Sequence, residues 1–287
     1  MVEATKNIDP PRLGAQVADT HAHLDMLDDP AAALMRAAFT GVTFVATVAD
    51  VTEAPLGTFD ALEVWTERAL SRMTEWGVAH PEAPEVRIVV GVHPHNAKGY
   101  TGDVAIQLEK LAGDLRVAAI GETGLDFHYD HSPRDWQFHA FRAQLEMAHR
   151  LELPIVVHLR EAHKEGLAVL REMGVPKAGC IIHCFSEGPK TAELFLEMGC
   201  HISFSGIVTF KKAEAVRKAA MVVPLDRLLI ETDSPFMTPE PYRGTSNQPA
   251  WVTFIAADLA KVRGVDAKEL AMATSENARA ILGRPRT

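Results

Sequence analysis

Apolar residues along the chain fall into short β-branched runs separated by longer stretches in which they recur with helical spacing. The runs are VADTHAH (17–23), VTFVATVAD (42–50), VRIVVGVHPH (86–95), RVAAIGETGLD (116–126), LPIVVHLR (153–160), CIIHCF (180–185), HISFSG (201–206) and LLIETDSP (228–235). They predict eight strands, and most intervals between them predict helices; PAAALMRAAFTG, for example, runs to Gly41, a typical residue just past a helix end. Alternating strands and helices imply parallel strands buried on both faces. Eight such units close as a (β/α)₈ TIM barrel, a single-domain α/β fold. An open doubly wound sheet would want a Gly-rich phosphate loop after its first strand, and none stands there. Near the C-terminus, DAKELAMATSENARAIL (266–282) reads as a helix with Asp266 as N-cap and Glu269 completing a capping box, expected to pack on the barrel exterior.

Polar residues gather at the C-terminal ends of the predicted strands: His21 and His23, His93 and His95, Glu122, His158 and Arg160, His183, and Asp233. In a barrel those ends form one face, where active sites are built. Side chains alternate along a strand, so the H-x-H of His21 and His23 aims both imidazoles inward. By the same alternation His183 shares a face with Ile181 and Phe185, while Cys180, Ile182 and Cys184 face the helices. The two cysteines on that face read as small buried hydrophobes.

Composition sharpens this. The 287 residues include 13 histidines against 3 cysteines and 3 tyrosines, and six of the histidines sit on the predicted rim with two carboxylates. One imidazole at a strand end is ordinary; six on one rim call for a common cause, and mixed N/O donors suit Zn²⁺, Mn²⁺ or Mg²⁺. A single ion needs three or four protein ligands, so at least six donors fit two divalent ions bridged by a carboxylate. The net charge of -9, from 29 basic and 38 acidic side chains, speaks against a broad basic surface gripping a polyanion. The three cysteines form no C-x-x-C pair, and no apolar run reaches the roughly 20 residues of a membrane span. The polar stretch 1–16 reads as an N-terminal extension without signal-peptide pattern, ahead of a catalytic domain at 17–287. A cytoplasmic protein with no membrane association and no obligate protein partner is expected, and a monomer suffices.

The motifs together carry a resemblance. DTHAHLD (19–25), GVHPH (91–95), GETGLDF (121–127), H-x-R (158–160), HCFS (183–186) and ETDSP (231–235), with SPRDWQ (132–137) and PYRGTSNQP (241–249), resemble the TatD family of metal-dependent hydrolases, in family order across almost the whole chain. The resemblance implies a barrel of the amidohydrolase type and a metal-dependent deoxyribonuclease that removes nucleotides from a DNA or oligonucleotide end, often the 3′ end. It implies further that His21, His23 and Asp233 hold one divalent ion, that His158 and His183 hold a second, and that Glu122 bridges them. Asp233 would orient or deprotonate the attacking water, and His93 would lie by the scissile phosphate. Arg160 and Arg243 are phosphate-contact candidates from their charge and rim position, and His95 is divided between a substrate contact and a rim hydrogen bond. The chain departs from the family pattern at Glu187, where Gly often follows HCFS, and at Glu161 and His163 in the segment after His158.

Other polar residues have plainer readings. Glu231 shares parity with Asp233 and could orient a ligand histidine, with an internal ion pair as the alternative. Asp19 reads as structural and Asn247 as a loop-fixing residue. His128 and His131 read as exposed loop residues. Two competing functions remain beside the nuclease: a metal-dependent hydrolase of a small amide, ester or lactone, and a catalytically silent metal-binding protein. The intact carboxylates and ligand set argue against the last.

Overall fold

A computed structural model of the chain describes residues 8–53 and 55–283; residues 1–7 of the predicted extension and the last four residues lie outside them. Eight strands follow one another round a single parallel sheet in sequence order. They are β1 (Val17–Ala22), β2 (Val42–Asp50), β3 (Glu85–Gly91), β4 (Val117–Asp126), β5 (Ile155–Arg160), β6 (Cys180–Ile182), β7 (His201–Phe204) and β8 (Leu228–Ile230). The barrel is nearly closed. Past the end of β8 the chain pairs with β1 through the Ala22–Ser234 bridge, with Asp233 N donating to His21 O at 2.8 Å and His23 N to Ser234 O at 2.7 Å. Lower down, Asp19 is buried and accepts from Thr232 N at 2.8 Å and Thr232 Oγ1 at 2.6 Å, a structural role of the kind its position suggests.

Helices fill the intervals: α1 (Pro30–Phe39), α2 (Pro55–Glu75), α3 (Gly102–Ala112), α4 (Arg134–Arg150), α5 (His163–Met173), α6 (Pro189–Glu197), α7 (Glu214–Val222), α8 (Val252–Arg263) and α9 (Ala267–Leu282). Local sequence sets their ends. Helix α1 starts on Pro30 with Asp29 accepting from Ala32 N at 3.0 Å, and Gly41 follows its end at φ 89°. Asp266 caps α9 through Lys268 N and Glu269 N.

Strand alternation divides the core in two. One face of each strand (Val45 and Ala49 of β2, for instance) packs outward on the helices. The other (Ala18, Phe44, Ala46, Val89, Val156, Ile181 and Leu229) fills the barrel interior. Helix α9 departs from the sequence expectation. Its last turns place Ala278, Ile281 and Leu282 against that interior set, so it closes the floor of the barrel instead of only flanking it. The cause lies partly at the start of β6: Gly179 leaves space that Ile281 fills, since a Cβ there would stand 2.6 Å from Ile281 Cδ1. No described helix is long and apolar enough to cross a membrane, and all three cysteines are free thiols.

Candidate metal centre

Strand ends position the polar residues much as alternation predicts, with the strands stopping earlier than their apolar runs. His23, His183, Glu231 and Asp233 lie just past β1, β6 and β8. His93 and His95 do not close β3. Pro94 stops the strand and opens a 3₁₀ turn, Pro94–Gly99, with His93 as its N-cap. His93 Nδ1 accepts from His95 N at 3.1 Å, so the neutral imidazole carries its proton on Nε2, the nitrogen that faces Glu122 Oε1 at 3.8 Å.

Glu122 stands at the centre of the cluster. Its Oε1 faces His21 Nε2 at 3.6 Å and His23 Nε2 at 4.0 Å, and those nitrogens lie 3.9 and 3.6 Å from Asp233 Oδ1. Its Oε2 contacts His183 Nε2 and lies 3.2 Å from His158 Nδ1. Burial works to raise the Glu122 pKa, but His183, His21, His93 and His158 outweigh it and hold the carboxyl well below the usual range. For Asp233, burial is likewise outweighed by the hydrogen bond from His23 and by the surrounding imidazoles, and the pKa falls. His183 sits between Glu122 and Glu231, whose Oε1 is 3.2 Å from His183 Nδ1; against burial the two carboxylates raise its pKa well above the ordinary value.

The donors suit divalent metal. Three groups have ligand atoms within 4.8 Å of one another: His21, His183 and Asp233; His21, His23 and Glu122; and His93, Glu122 and His158. Both ring nitrogens of the fully buried His21 lack a hydrogen-bond partner. An unsatisfied buried polar atom costs about 1–3 kcal/mol, and a bound ion would satisfy the nitrogen that faces the carboxylates.

Asp126, which sequence reasoning passed over, completes the framework. It is fully buried on the same face of β4 as Glu122, and its Oδ2 lies 3.1 Å from His158 Nε2 and 2.8 Å from His95 Nε2. His95 therefore makes a rim hydrogen bond at the cavity wall. Two buried amides of α4 hold this region. Gln137 binds the backbone of Asp126 at 2.8 and 3.1 Å, and Gln144 binds that of Val92 at 2.7 and 3.0 Å. Gly124 lets β4 approach β5, because a Cβ there would stand 2.0 Å from His158 O. The signal for Asp126 was its spacing, four residues and equal parity from Glu122; for the glutamines, a lone amide on an apolar helix face gives none.

The cluster lies at the bottom of a cavity of about 1020 Å³. Arg160 lines it, its guanidinium over the Tyr129 ring at 4.7 Å. Arg243 is not among the lining residues and lies over the ring of Phe210, which is, at 4.1 Å. His128 and His131 are exposed, as expected of loop residues, yet they line the outer wall, and His128 pairs with Glu161 at 2.7 Å. Glu187 lines the rim, 3.8 Å from the buried His163. Cys184 corrects the alternation argument. Strand β6 stops at Ile182 and Cys184 takes φ 46°, so Cys184 opens on the cavity while Phe185 packs outward with Phe204.

Fold and site together define a metal-dependent hydrolase built on a (β/α)₈ barrel. The profile of the family described as TatD related DNase matches residues 18–283, and the chain belongs to that family. It is 40% identical over 265 residues to the uncharacterized metal-dependent hydrolase YcfH of Escherichia coli K12, covering 90% of this chain and 92% of that one. The 3'-5' ssDNA/RNA exonuclease TatD of Erwinia amylovora is 35% identical over 220 residues, 75% of this chain and 85% of that one. The crystal structure of the TatD homolog YJJV from E. coli K12 superposes with a TM-score of 0.81 at 27% identity, covering 94% of this chain and 98% of that chain.

Proposed function

We propose that the protein is a two-metal deoxyribonuclease that removes nucleotides from an end of DNA or of a short oligonucleotide, with 3′-to-5′ polarity. The observation that carries this reading is the division of donors about Glu122. His21, His23 and Asp233 lie on its Oε1 side, and His158 and His183 on its Oε2 side. His21, His23 and Asp233 would hold one ion, His158 and His183 the other, and Glu122 both. Two divalent ions bound there, of Mg²⁺, Mn²⁺ or Zn²⁺, would make a water acidic enough to attack phosphorus and offset the charge of the phosphate.

The chain's own groups do the rest. Asp233, kept ionised by its imidazole neighbours, takes the proton of the attacking water. His93 presents Nε2–H to the cavity and donates to the phosphate or to the leaving oxygen. Arg160 holds a phosphate from the wall; Arg243, exposed over the ring of Phe210 at the cavity's edge, is the second candidate for a phosphate contact. Asp25, Glu53, Glu161 and Glu187 line the outer cavity against Lys98 and Arg160, which favours contact with a few nucleotides over a grip along a duplex. Those carboxylates equally favour the second reading, hydrolysis of a small neutral ester, lactone or amide.

The deciding experiment incubates metal-loaded protein with an end-labelled single-stranded oligonucleotide, beside Glu122→Ala and Asp233→Ala. A metal-dependent ladder shortening from the 3′ end, absent from both variants, is expected. No cleavage with Mg²⁺, Mn²⁺ or Zn²⁺, together with turnover of an ester or lactone panel that both variants lose, would replace the first reading by the second.

A further inference from the structure

The cavity's walls differ in character. On the side of β4 and β5 stand Tyr129, His131 and Arg160; on the side of β8 and β1 stand Phe236, Met237 and Met26. Phe236 and Met26 are 47% and 49% exposed. Scattered exposed apolar side chains need no explanation, but two together inside a cavity floored by charged groups mark a binding surface. Phe236 also touches the donor cluster: its ring meets that of His23 edge-on, with centroids 5.8 Å apart and planes at 79°.

The turn that carries Phe236 is pinned on every side. Phe236 N donates to Asp233 O at 2.8 Å. Asn247 Nδ2 donates to Phe236 O at 2.7 Å and to Thr232 O at 2.8 Å. Gly206 makes room for the next carbonyl, since a Cβ there would stand 1.8 Å from Met237 O. A half-exposed aromatic ring is thus held in place three residues from Asp233, and a ligand that covers it has little ordering cost to offset.

We infer that Phe236, in the cavity that Met26 and Met237 also line, seats an unpaired nucleobase at the end of the substrate. The inference rests on the nuclease reading and adds to it the side chain that holds the terminal base. A nucleobase has an apolar π-face for the ring and hangs from a sugar-phosphate that can lie over the donor cluster beside it. An unpaired terminal base can turn its free face to the ring, whereas a second strand would meet the carboxylates of Asp25, Glu53, Glu161 and Glu187 that line the cavity. Stacking accepts any base, so the seat selects for an unpaired end and not for a sequence.

The test uses the full metal-loaded chain and two single-stranded oligonucleotides identical except at the residue cleaved first, a nucleotide in one and an abasic tetrahydrofuran in the other. Wild type should favour the base-bearing end by roughly 5- to 150-fold in kcat/KM. F236A should bring that ratio to about 1, while F236W keeps it; the half-exposed position leaves folding of both variants intact. Equal cleavage of the two ends by wild type, or an unchanged ratio in F236A, would overturn the base seat and leave the nuclease standing. Absence of cleavage of either oligonucleotide would overturn both.

Discussion

Asp126 and His158 are joined at 3.1 Å through Nε2 of the imidazole, and this bond decides what the other nitrogen does. Hydrogen bonds from His158, His95 and the Tyr129 backbone outweigh burial and lower the Asp126 pKa, so the carboxylate can only accept. Nε2 of His158 therefore carries a proton, which leaves Nδ1, 3.2 and 3.1 Å from Glu122 and His183, as the nitrogen that would give up its proton to a metal.

That arrangement predicts a metal-binding phenotype away from the direct donors. Asp126→Ala should weaken metal affinity by roughly 10–100-fold while the protein stays folded. Calorimetric titration with Mn²⁺ measures it, and unchanged affinity would show that His158 needs no such partner.

Metal should also stabilise the fold. Taking ions from a cluster that holds carboxylates and imidazoles in close contact leaves buried charge unmatched. Stripping the protein with a chelator should lower Tm, and restoring one ion at 100 times its Kd should return about 2.7 kcal/mol. Glu122→Gln should lose most of that gain. A melting curve indifferent to chelator and metal alike would count against the site.

Arg160 separates binding from chemistry. Among the described residues no carboxylate pairs with its guanidinium, which is steadied by the Tyr129 ring alone. Arg160→Ala should raise KM for an oligonucleotide by roughly 10- to 100-fold with a smaller change in kcat, the value of a charge-assisted hydrogen bond. Arg160→Lys should recover part of it, because an ammonium lacks the planar fork. A pure kcat effect would move Arg160 out of substrate binding.

His163 gives a pH-dependent test of stability. Burial, with His158 nearby, pushes its pKa down to about 4, whereas an unfolded histidine titrates near about 6.5. Between those values the unfolded chain binds the extra proton, so stability present above the higher value is lost as pH falls toward the lower one. From pH 7 to pH 5 the His163 share of the loss should be about 2 kcal/mol, beside a share from His201, whose pKa burial also pushes down to about 4. His163→Leu should lose that much less than wild type over the same range. Urea unfolding of both proteins at the two pH values reads the difference, and parallel losses would refute the assignment.

Much of this architecture was legible in the sequence because both of its periods are strong. Eight apolar runs separated by helical intervals announce the barrel, and alternation places His21, His23, Glu122, His158 and His183 around one space. Alternation fails where strands end: Pro94 moves His93 and His95 onto a turn, and the φ of Cys184 exchanges the directions of Cys184 and Phe185. The partners of the imidazoles were harder to read. Asp126 was visible only as a parity match, and Gln137 and Gln144 act from a helix whose pattern says only that it is buried. Arg243 illustrates another limit, since sequence gives its charge and its loop but not its place over the ring of Phe210.

Helix α9 gives the barrel a floor. With Ala278, Ile281 and Leu282 set among the interior residues of the strands, the described chain offers no rear exit from the cavity. If the substrate is a strand end, as proposed, it must leave by the mouth it entered, and so must whatever is cut from it. On the nuclease reading each turnover would then end in a queue at one door: the released fragment clears the opening before the shortened end can advance, so release and re-engagement, more than continuous threading, would set the pace.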